Sequence, residues 1–333
     1  MQPGPLNLLT DIDGLSVGHA TDLTLGSGVT VIVFDEPATA SGTVLGGAPG
    51  GRETGLLDPA LTLVREVNAF VLSGGSAFGL DAAGGVQAGL RAAGQGFAVG
   101  SVKVPIVPQA ILMDLLNGGN KDWGLHSPYR DMGYDAFRAA AKGAFALGTI
   151  GAGTGATTAT VKGGLGSASA VSSTGHRVAC LVAVNAMGAP TIGEIGHFWA
   201  APFEEGGEFG GLGLPSGFFP EETRLRLKGR NITATSIGIV VTDAVLTKAE
   251  AHRLSIMAHD GLARAVLPAH LPADGDTIFA AATGKKPLSG LEDFMELCHL
   301  ATLTMARAVA RGVYEATALP YAGAQASWRD RFG

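Results

Sequence analysis

The sequence predicts one layered domain in which α-helices cover buried β-sheets. Its short β-branched runs are apolar throughout, which is typical of strands buried on both faces. Helix-like segments alternate with these runs, and no composition shift marks a domain boundary. Glycine supplies 51 of the 333 residues, which is about twice its usual share. We therefore expect a core of small residues with many tight backbone positions.

The elements follow from periodicity and from capping residues. Five apolar runs are predicted strands: residues 28–34, 67–73, 178–185, 236–242 and 276–283. Four segments with helical spacing are predicted helices: residues 79–93, 134–147, 247–266 and 291–317. Thr247 with Glu250 predicts a capping box at the start of the third helix. Residues 203–230, rich in Gly, Glu and Pro, are expected to form an exposed loop.

Composition and charge exclude several classes of protein. Charged residues make up only 16% and hydrophobic residues 46%, the opposite of a disordered chain. The net charge is −6 and no basic run is present, so the sequence predicts no positively charged surface for binding nucleic acid. The longest uncharged stretch, residues 143–161, is built from Gly and Thr, so we expect no membrane contact. The start lacks a signal peptide, and Cys180 and Cys298 look like buried thiols, so a cytoplasmic location is expected.

Motifs for cofactors are weak. GAGTGA (151–156) matches a dinucleotide pattern, but a helix-like run precedes it and a strand-like run follows it, the reverse of what such a site requires. His252 and His259 share a helix face without further ligands at metal spacing. The sequence therefore predicts neither a cofactor nor a metal.

Three hydroxyl residues, Thr233, Thr235 and Ser236, stand directly before the predicted strand 236–242. They fit an ordinary strand entry. They also fit a hydroxyl nucleophile at a rigid strand end, which needs a base such as its own α-amine, freed by cleavage of the preceding peptide bond. Spacing alone leaves both interpretations open.

Four other polar residues carry a structural and a functional interpretation. Asp274 and Asp276 flank a glycine before an apolar strand, as in a turn or in a pair of acids that divide proton-transfer roles. Lys162 stands alone among Gly and Thr, either as a loop tip or as a partner of those acids. Asn185 ends an apolar strand, either as a turn residue or as a donor to an oxyanion.

Taken together, several segments resemble the DmpA-type (P1/S58) peptidases, aminopeptidases and amide hydrolases that mature by self-cleavage. The chain is also similar to the nylon-oligomer hydrolases of the same fold. The motifs are LTDIDGLSVGHATD (9–22), GVTVIVF (28–34), GAPGGRETGLLDP (47–59), VLSGGSAFGLDAAGG (71–85), VKVPIVPQAI (102–111), IGIVVTDA (237–244) and DGDTIFA (274–280). The resemblance implies an α+β fold, a four-layer αββα sandwich like that of ornithine acetyltransferase and N-terminal-nucleophile (Ntn) hydrolases. It also implies a homo-oligomer, often a tetramer.

The resemblance assigns roles by position. The nucleophile falls on Thr235, seven residues before Thr242 and followed by a second hydroxyl residue, Ser236. The acids of the nylon-oligomer hydrolases, the family's active-site Lys and its oxyanion Asn fall on Asp274, Asp276, Lys162 and Asn185. Self-cleavage between residues 234 and 235 would divide the single domain 1–333 into chains 1–234 and 235–333.

Two positions depart from the family pattern. Ala234 stands where the residue before the nucleophile is typically Asn or Gly, which predicts slow or absent self-cleavage. Met113 stands where a Tyr often helps to form the oxyanion hole, and a thioether cannot donate a hydrogen bond.

Two functional hypotheses remain from the sequence. The first is an autoprocessing N-terminal-threonine hydrolase that cleaves small peptide or amide substrates through an acyl-enzyme. The second is an uncleaved, weakly active or inactive member of the family that acts as a binding or scaffold protein, which Ala234 and Met113 favour. A short L- or D-amino acid amide, a β-peptide, pantetheine or an ω-amino-acid oligomer would each fit a small pocket beside an N-terminal amine.

Overall fold

The computed structural model describes residues 2–217, 220–229 and 234–333, and Thr233 lies outside them. In these residues the strands are β1 (Leu15–Asp22), β2 (Ser27–Val44), β3 (Gly51–Arg52), β4 (Glu66–Ser73), β5 (Phe97–Val99), β6 (Val102–Val104), β7 (Gln109–Ile111), β8 (Leu165–Val171), β9 (Arg177–Ala183), β10 (Ile237–Ala244) and β11 (Thr277–Lys286). The helices are α1 (Ala82–Ala92), α2 (Tyr129–Arg138), α3 (Lys248–Ala265), α4 (Leu291–Tyr314) and α5 (Trp328–Phe332).

The long strand β2 belongs to two halves of the sheet system. Its first half pairs antiparallel with β1 and β4, and its second half pairs antiparallel with β11. The hydrogen-bonded order is β3-β7-β4-β2-β11-β10-β9-β8, with β1 paired to β2 beside this path. A register shift between Val33 and Ala38 marks the point where β2 passes from one half to the other. One strand thus links both sheet layers.

Alternating side chains divide the core into three layers of packing. In β4, Phe70 faces a central core that both sheet halves share, and it stacks on Phe279 of β11 with ring centroids 4.6 Å apart. Its neighbour Val71 faces α1 and α2 instead. In β10, Ile239 faces the central core and Val240 faces α3 and α4. Helices therefore cover both outer faces of two stacked sheets, and the predicted four-layer αββα fold is confirmed.

Most elements agree with the sequence, and one helix does not. The capping box of α3 is present, with the Thr247 hydroxyl accepting from the Glu250 N–H. The predicted helix 134–147 is wrong in its position, because α2 ends at Arg138. Ala141 instead exchanges backbone hydrogen bonds with Val17 of β1, and Gly143 has a φ of +94° that ends helical geometry. Tertiary pairing therefore overrides the local helical pattern.

Most of the described residues in the segment 203–230 are exposed, as predicted, but part of the segment packs against the core. Phe209 is buried, and the Glu208 carboxylate lies 2.5 Å from the Arg307 Nε of α4. Cys180 and Cys298 are free and buried, as predicted. Within the described ranges, no helix combines the length and the apolar character needed to cross a membrane.

Candidate active site

Thr235 lies where the ends of three strands meet. It stands two residues before β10, which runs parallel to β11 and antiparallel to β9. The starts of β10 and β11 and the end of β9 therefore share one edge of the sheet. At this edge the Thr235 N–H donates to the backbone carbonyl of Asn185, at 2.9 Å. Sheet topology thus brings the predicted nucleophile and the predicted oxyanion residue together.

The Ala234 carbonyl, at the predicted cleavage point, accepts two hydrogen bonds. The Thr235 hydroxyl donates to it at 2.5 Å, and the Gly275 N–H donates to it at 3.1 Å. A Cβ at Gly275 would lie 2.6 Å from Thr235 Oγ1 and 2.7 Å from the Ala48 carbonyl oxygen. Only glycine allows this close approach, so position 275 of the Asp-Gly-Asp turn has a steric requirement.

The two acids bind backbone amides, that of the residue after the nucleophile and those of two neighbouring loops. Asp276 Oδ1 accepts the Ser236 N–H at 2.8 Å. Asp274 accepts from two amides, those of Met187 at 3.1 Å and Leu271 at 3.2 Å. Both carboxylates are buried, and burial together with the charge of Asp276 raises the pKa of Asp274 to about 6. Asp274 therefore changes its protonation state close to neutral pH.

His270 is a member of this group that the sequence analysis missed. Its backbone N–H and its Nδ1 both lie against Asp276 Oδ2, at 3.0 and 2.9 Å. Burial by itself lowers the pKa of the imidazole, but the hydrogen bond and charge of Asp276 outweigh it and leave that pKa raised. The residue has a φ of +57° and lies six positions before Asp276 in a loop, where no periodic pattern could have indicated it.

Both ends of the Asn185 side-chain amide are held by hydrogen bonds. Its side-chain Oδ1 accepts from the Thr157 N–H at 3.0 Å and from Lys228 Nζ at 2.6 Å. Its Nδ2 donates to the Met113 carbonyl at 3.0 Å. Met113 therefore contributes its backbone to the site. Lys228, which the sequence analysis placed in an exposed loop, is half-buried here.

Lys162 is buried and its ammonium donates to two carbonyls, those of Gly153 at 3.1 Å and Gly163 at 2.8 Å. Burial lowers the pKa of Lys162 to about 7, against the attraction of Asp114. The contacts of its ammonium are thus with backbone oxygens, and its assignment as a partner of Asp274 and Asp276 stays a prediction.

A cavity of about 530 Å³ is lined by Met113, Thr157 and Lys228, the three residues that contact the side-chain amide of Asn185, while Asn185 itself is buried behind them. Its lining consists of Met113, Asp114, Leu116, Asn117, Gly118, Thr157, Lys228, Gly229, Ala322, Gly323 and Gln325. A larger cavity of about 890 Å³ lies against α1 and the β5–β6 hairpin, and its described lining contains none of the predicted site residues. The smaller cavity is therefore the candidate substrate site.

A metal centre has no support in the part of the chain that the structure describes. There, no three His, Cys, Asp or Glu side chains are grouped so that they could hold an ion. His259 instead contacts the Thr43 carbonyl at 2.9 Å and packs edge-on against His270.

Comparison with solved structures gives the same fold. The chain superposes on a β-aminopeptidase from a Burkholderia species with a TM-score of 0.72 and 22% identity, covering 99% of this chain and 92% of that one. It superposes on the L-aminopeptidase D-Ala-esterase/amidase of Ochrobactrum anthropi with a TM-score of 0.71 and 19% identity, covering 99% and 93%. The latter is described as a prototype of the serine aminopeptidases and as a variant of the Ntn-hydrolase fold.

Sequence comparison is more specific. An uncharacterized aminopeptidase of Mycobacterium bovis is 41% identical over 298 residues, which cover 84% of this chain and 82% of that protein. A counterpart from Mycobacterium leprae is 40% identical over 302 residues, covering 85% and 80%. The model of peptidase family S58 matches residues 7–326. The chain belongs to peptidase family S58 and is an aminopeptidase-type hydrolase.

Proposed function

We propose that this protein is an autoprocessing N-terminal-threonine hydrolase. It would cleave its own chain between Ala234 and Thr235 and then hydrolyse peptide or amide bonds of small substrates. The observation that carries the proposal is the pair of hydrogen bonds on the Ala234 carbonyl, one from Thr235 Oγ1 and one from the Gly275 N–H. A nucleophile and an oxyanion donor then meet at the bond to be broken.

Self-cleavage follows from this arrangement. Thr235 Oγ1 attacks the Ala234 carbonyl carbon and gives up its proton, which ends on the departing Thr235 nitrogen, and the Gly275 N–H stabilises the carbonyl oxygen as it becomes negative. The C–N bond breaks, the nitrogen takes up that proton, and an ester joins Ala234 to Thr235. Water hydrolyses the ester and releases the Ala234 carboxylate, giving chains 1–234 and 235–333.

Substrate hydrolysis uses the amine that cleavage creates. The Thr235 nitrogen, held by the Asn185 carbonyl, becomes a free α-amine and acts as general base for its own hydroxyl. The hydroxyl attacks the substrate carbonyl, and Asn185 Nδ2 donates to the tetrahedral oxyanion. The acyl-enzyme that remains after the amine leaves is hydrolysed by water.

The charged residues orient and tune this amine. Asp276 fixes Ser236, the next residue, through its backbone N–H, and Asp274 fixes the loop that carries Met187. Lys162 adds a buried amine with a pKa of about 7, so a change in nearby charge would shift its protonation state near neutral pH.

The substrates we propose are small molecules with a free amino group and a peptide or amide bond, since the relatives are named aminopeptidases. The cavity of about 530 Å³ has room for one such substrate. By resemblance to the family, we also propose a homotetramer in the cytoplasm, without a cofactor.

The test combines mass spectrometry with hydrolysis of aminoacyl p-nitroanilides and amides. The wild-type protein of 33.6 kDa should convert to fragments ending at Ala234 and starting at Thr235, and it should hydrolyse part of the panel. Thr235→Ala should stay intact and inactive, while Thr235→Ser keeps a hydroxyl and should still cleave.

Thr304→Ala is the matched control, because Thr304 is a buried threonine of α4 that neither contacts Thr235 nor lines the candidate cavity in the described residues, and it should behave as the wild type. An intact wild-type chain with no hydrolysis after long incubation would overturn the proposal. That outcome would support the uncleaved binding protein, which Met113 favours because this residue lines the cavity and its thioether has no hydrogen to donate.

A further inference from the structure

Lys228 lies in the segment before the nucleophile and has no role in the mechanism above. Its backbone N–H donates to the Met187 carbonyl at 3.0 Å, which fixes the segment against the loop after β9. Its side chain lines the candidate cavity and ends at Asn185, with Nζ 2.6 Å from Oδ1. The ammonium is therefore aimed at the side chain that would stabilise the substrate oxyanion.

The contact determines which way the Asn185 amide points. Two donors, Lys228 Nζ and the Thr157 N–H, converge on one end of the amide, so that end must be the oxygen. The other end is then the NH₂ group. Among the described residues it donates one hydrogen bond, to the Met113 carbonyl, which leaves its second N–H for an oxyanion. A reversed amide would place an NH₂ group against two donors.

Lys228 also strengthens that donor when it is protonated, and burial lowers the pKa of Lys228 to about 7 against the attraction of Asp114 and Asp274. An ammonium bound to the amide oxygen polarises the group and makes its N–H a better hydrogen-bond donor. Position 113 is where the family often supplies a Tyr hydroxyl, and here the Met113 side chain cannot donate. A stronger single amide donor compensates for a missing second donor.

We propose that Lys228 is a positioning residue for substrate hydrolysis, because it orients and polarises Asn185 so that Nδ2 serves as the oxyanion donor. The proposal rests on the proposed function. Lys228 should matter for substrate hydrolysis far more than for self-cleavage, because the Ala234 carbonyl accepts its hydrogen bonds from Gly275 and Thr235 rather than from Asn185.

The experiment is a double-mutant cycle on the processed enzyme. Lys228→Met should lower kcat for an aminoacyl p-nitroanilide by about 10- to 100-fold with little change in KM, a part of the roughly 10²- to 10³-fold loss expected for an oxyanion donor. Asn185→Ala should cause the larger loss, and adding Lys228→Met to it should cost no more than a further twofold or so. Lys228→Arg should recover part of the rate, because it keeps the charge.

Two further measurements separate positioning from general damage. The rate at which Lys228→Met cleaves itself, followed by mass spectrometry, should fall far less than its kcat. Arg226→Met removes a neighbouring charge that pairs with Glu194, and it should hydrolyse substrate at the wild-type rate.

Three results would overturn the inference. The first is an unchanged kcat in Lys228→Met. The second is a Lys228→Met substitution that lowers kcat as much in the Asn185→Ala background as in the wild type. The third is a Lys228→Met variant whose self-cleavage slows by the same factor as its hydrolysis of substrate. In each of these the wild type is active, so the proposed function survives. A wild type that neither cleaves itself nor hydrolyses any substrate would overturn both.

Discussion

The two sides of the candidate site are built on different physical principles. On the acid side, Asp274, Gly275 and Asp276 are consecutive, and they bind backbone amides and the Ala234 carbonyl. On the amide side, Asn185 and Lys228 come from distant segments and meet through side chains. The acid side therefore holds the Ala234 carbonyl at the proposed cleavage point, while on the amide side Lys228 lines the cavity.

This difference predicts how substitutions on each side would affect the protein. A short turn with backbone contacts tolerates almost no steric change, because its atoms have no alternative position. A side-chain contact beside a cavity is less demanding, because another donor can partly replace the side chain that is lost. Substitutions there should therefore lower activity by intermediate amounts. We expect acid-side variants to stop maturation and amide-side variants to reduce turnover.

Gly275→Ala should have the largest effect. Its Cβ would lie 2.6 Å from Thr235 Oγ1 and 2.7 Å from the Ala48 carbonyl oxygen, so either the nucleophile or the turn must move. We expect self-cleavage to slow by about 10³-fold or more, since an oxyanion donor and the nucleophile are displaced together. The intact mass over several days measures this.

Gly55→Ala is the control for that variant, because a Cβ at Gly55 meets no atom within 4 Å. It should mature as the wild type does. Rapid cleavage in Gly275→Ala would show that the tight turn is not required, and the contrast between the two sides would be lost.

Asp276→Asn should have the next largest effect. The Asp276 carboxylate accepts from the Ser236 N–H, the His270 N–H and the His270 ring, and an amide must turn an NH₂ group toward one of these donors. We expect a loss of about 2–3 kcal/mol in the free energy of unfolding, with slower self-cleavage. Chemical denaturation and mass spectrometry measure the two.

Asp243→Asn provides the comparison, because Asp243 is a buried carboxylate near the far end of β10 and it accepts the Arg177 N–H at 2.8 Å. It should lose stability yet keep self-cleavage. Equal loss of self-cleavage in both variants would mean that Asp276 contributes only stability.

The sequence predicted the acid side better than the amide side, for a physical reason. Asp274 and Asp276 precede an apolar strand next to the strand that follows Thr235, and neighbouring strand ends must meet. Lys228 and His270 lie in loops, where no periodicity indicates what a side chain touches. The four-layer order came from the family resemblance, since apolar runs indicate burial but not which sheets stack. The helix at 134–147 failed because Ala141 pairs with β1.

The raised pKa of Asp274 predicts that the free energy of unfolding depends on pH through this acid-side residue. Its folded pKa of about 6 lies above the value of 3.8 expected when unfolded, so the folded state holds the proton more tightly. The contribution of Asp274 to stability is thus greatest below pH 3.8 and is lost as pH rises to about 6. We expect a loss of about 1–3 kcal/mol across that interval, which Asp274→Asn should remove. Denaturation at several pH values tests this, and an equal slope in wild type and variant would contradict it.

Met113→Tyr should have the smallest effect, and it is a gain. Met113 lines the cavity and its carbonyl accepts from Asn185 Nδ2, so we expect a phenol at this position to bring a hydroxyl donor into the cavity beside Asn185. Met113→Phe is the matched control, because it adds the same ring without a donor. We expect kcat for an aminoacyl p-nitroanilide to be about 3- to 10-fold higher in the Tyr variant than in the Phe variant, less than a fully placed donor supplies. The rate of self-cleavage should be the same in both, because the Ala234 carbonyl receives its donor from Gly275 on the other side. Equal kcat values in the two variants would mean that Asn185, held by Lys228, stabilises the oxyanion well enough that a second donor adds nothing.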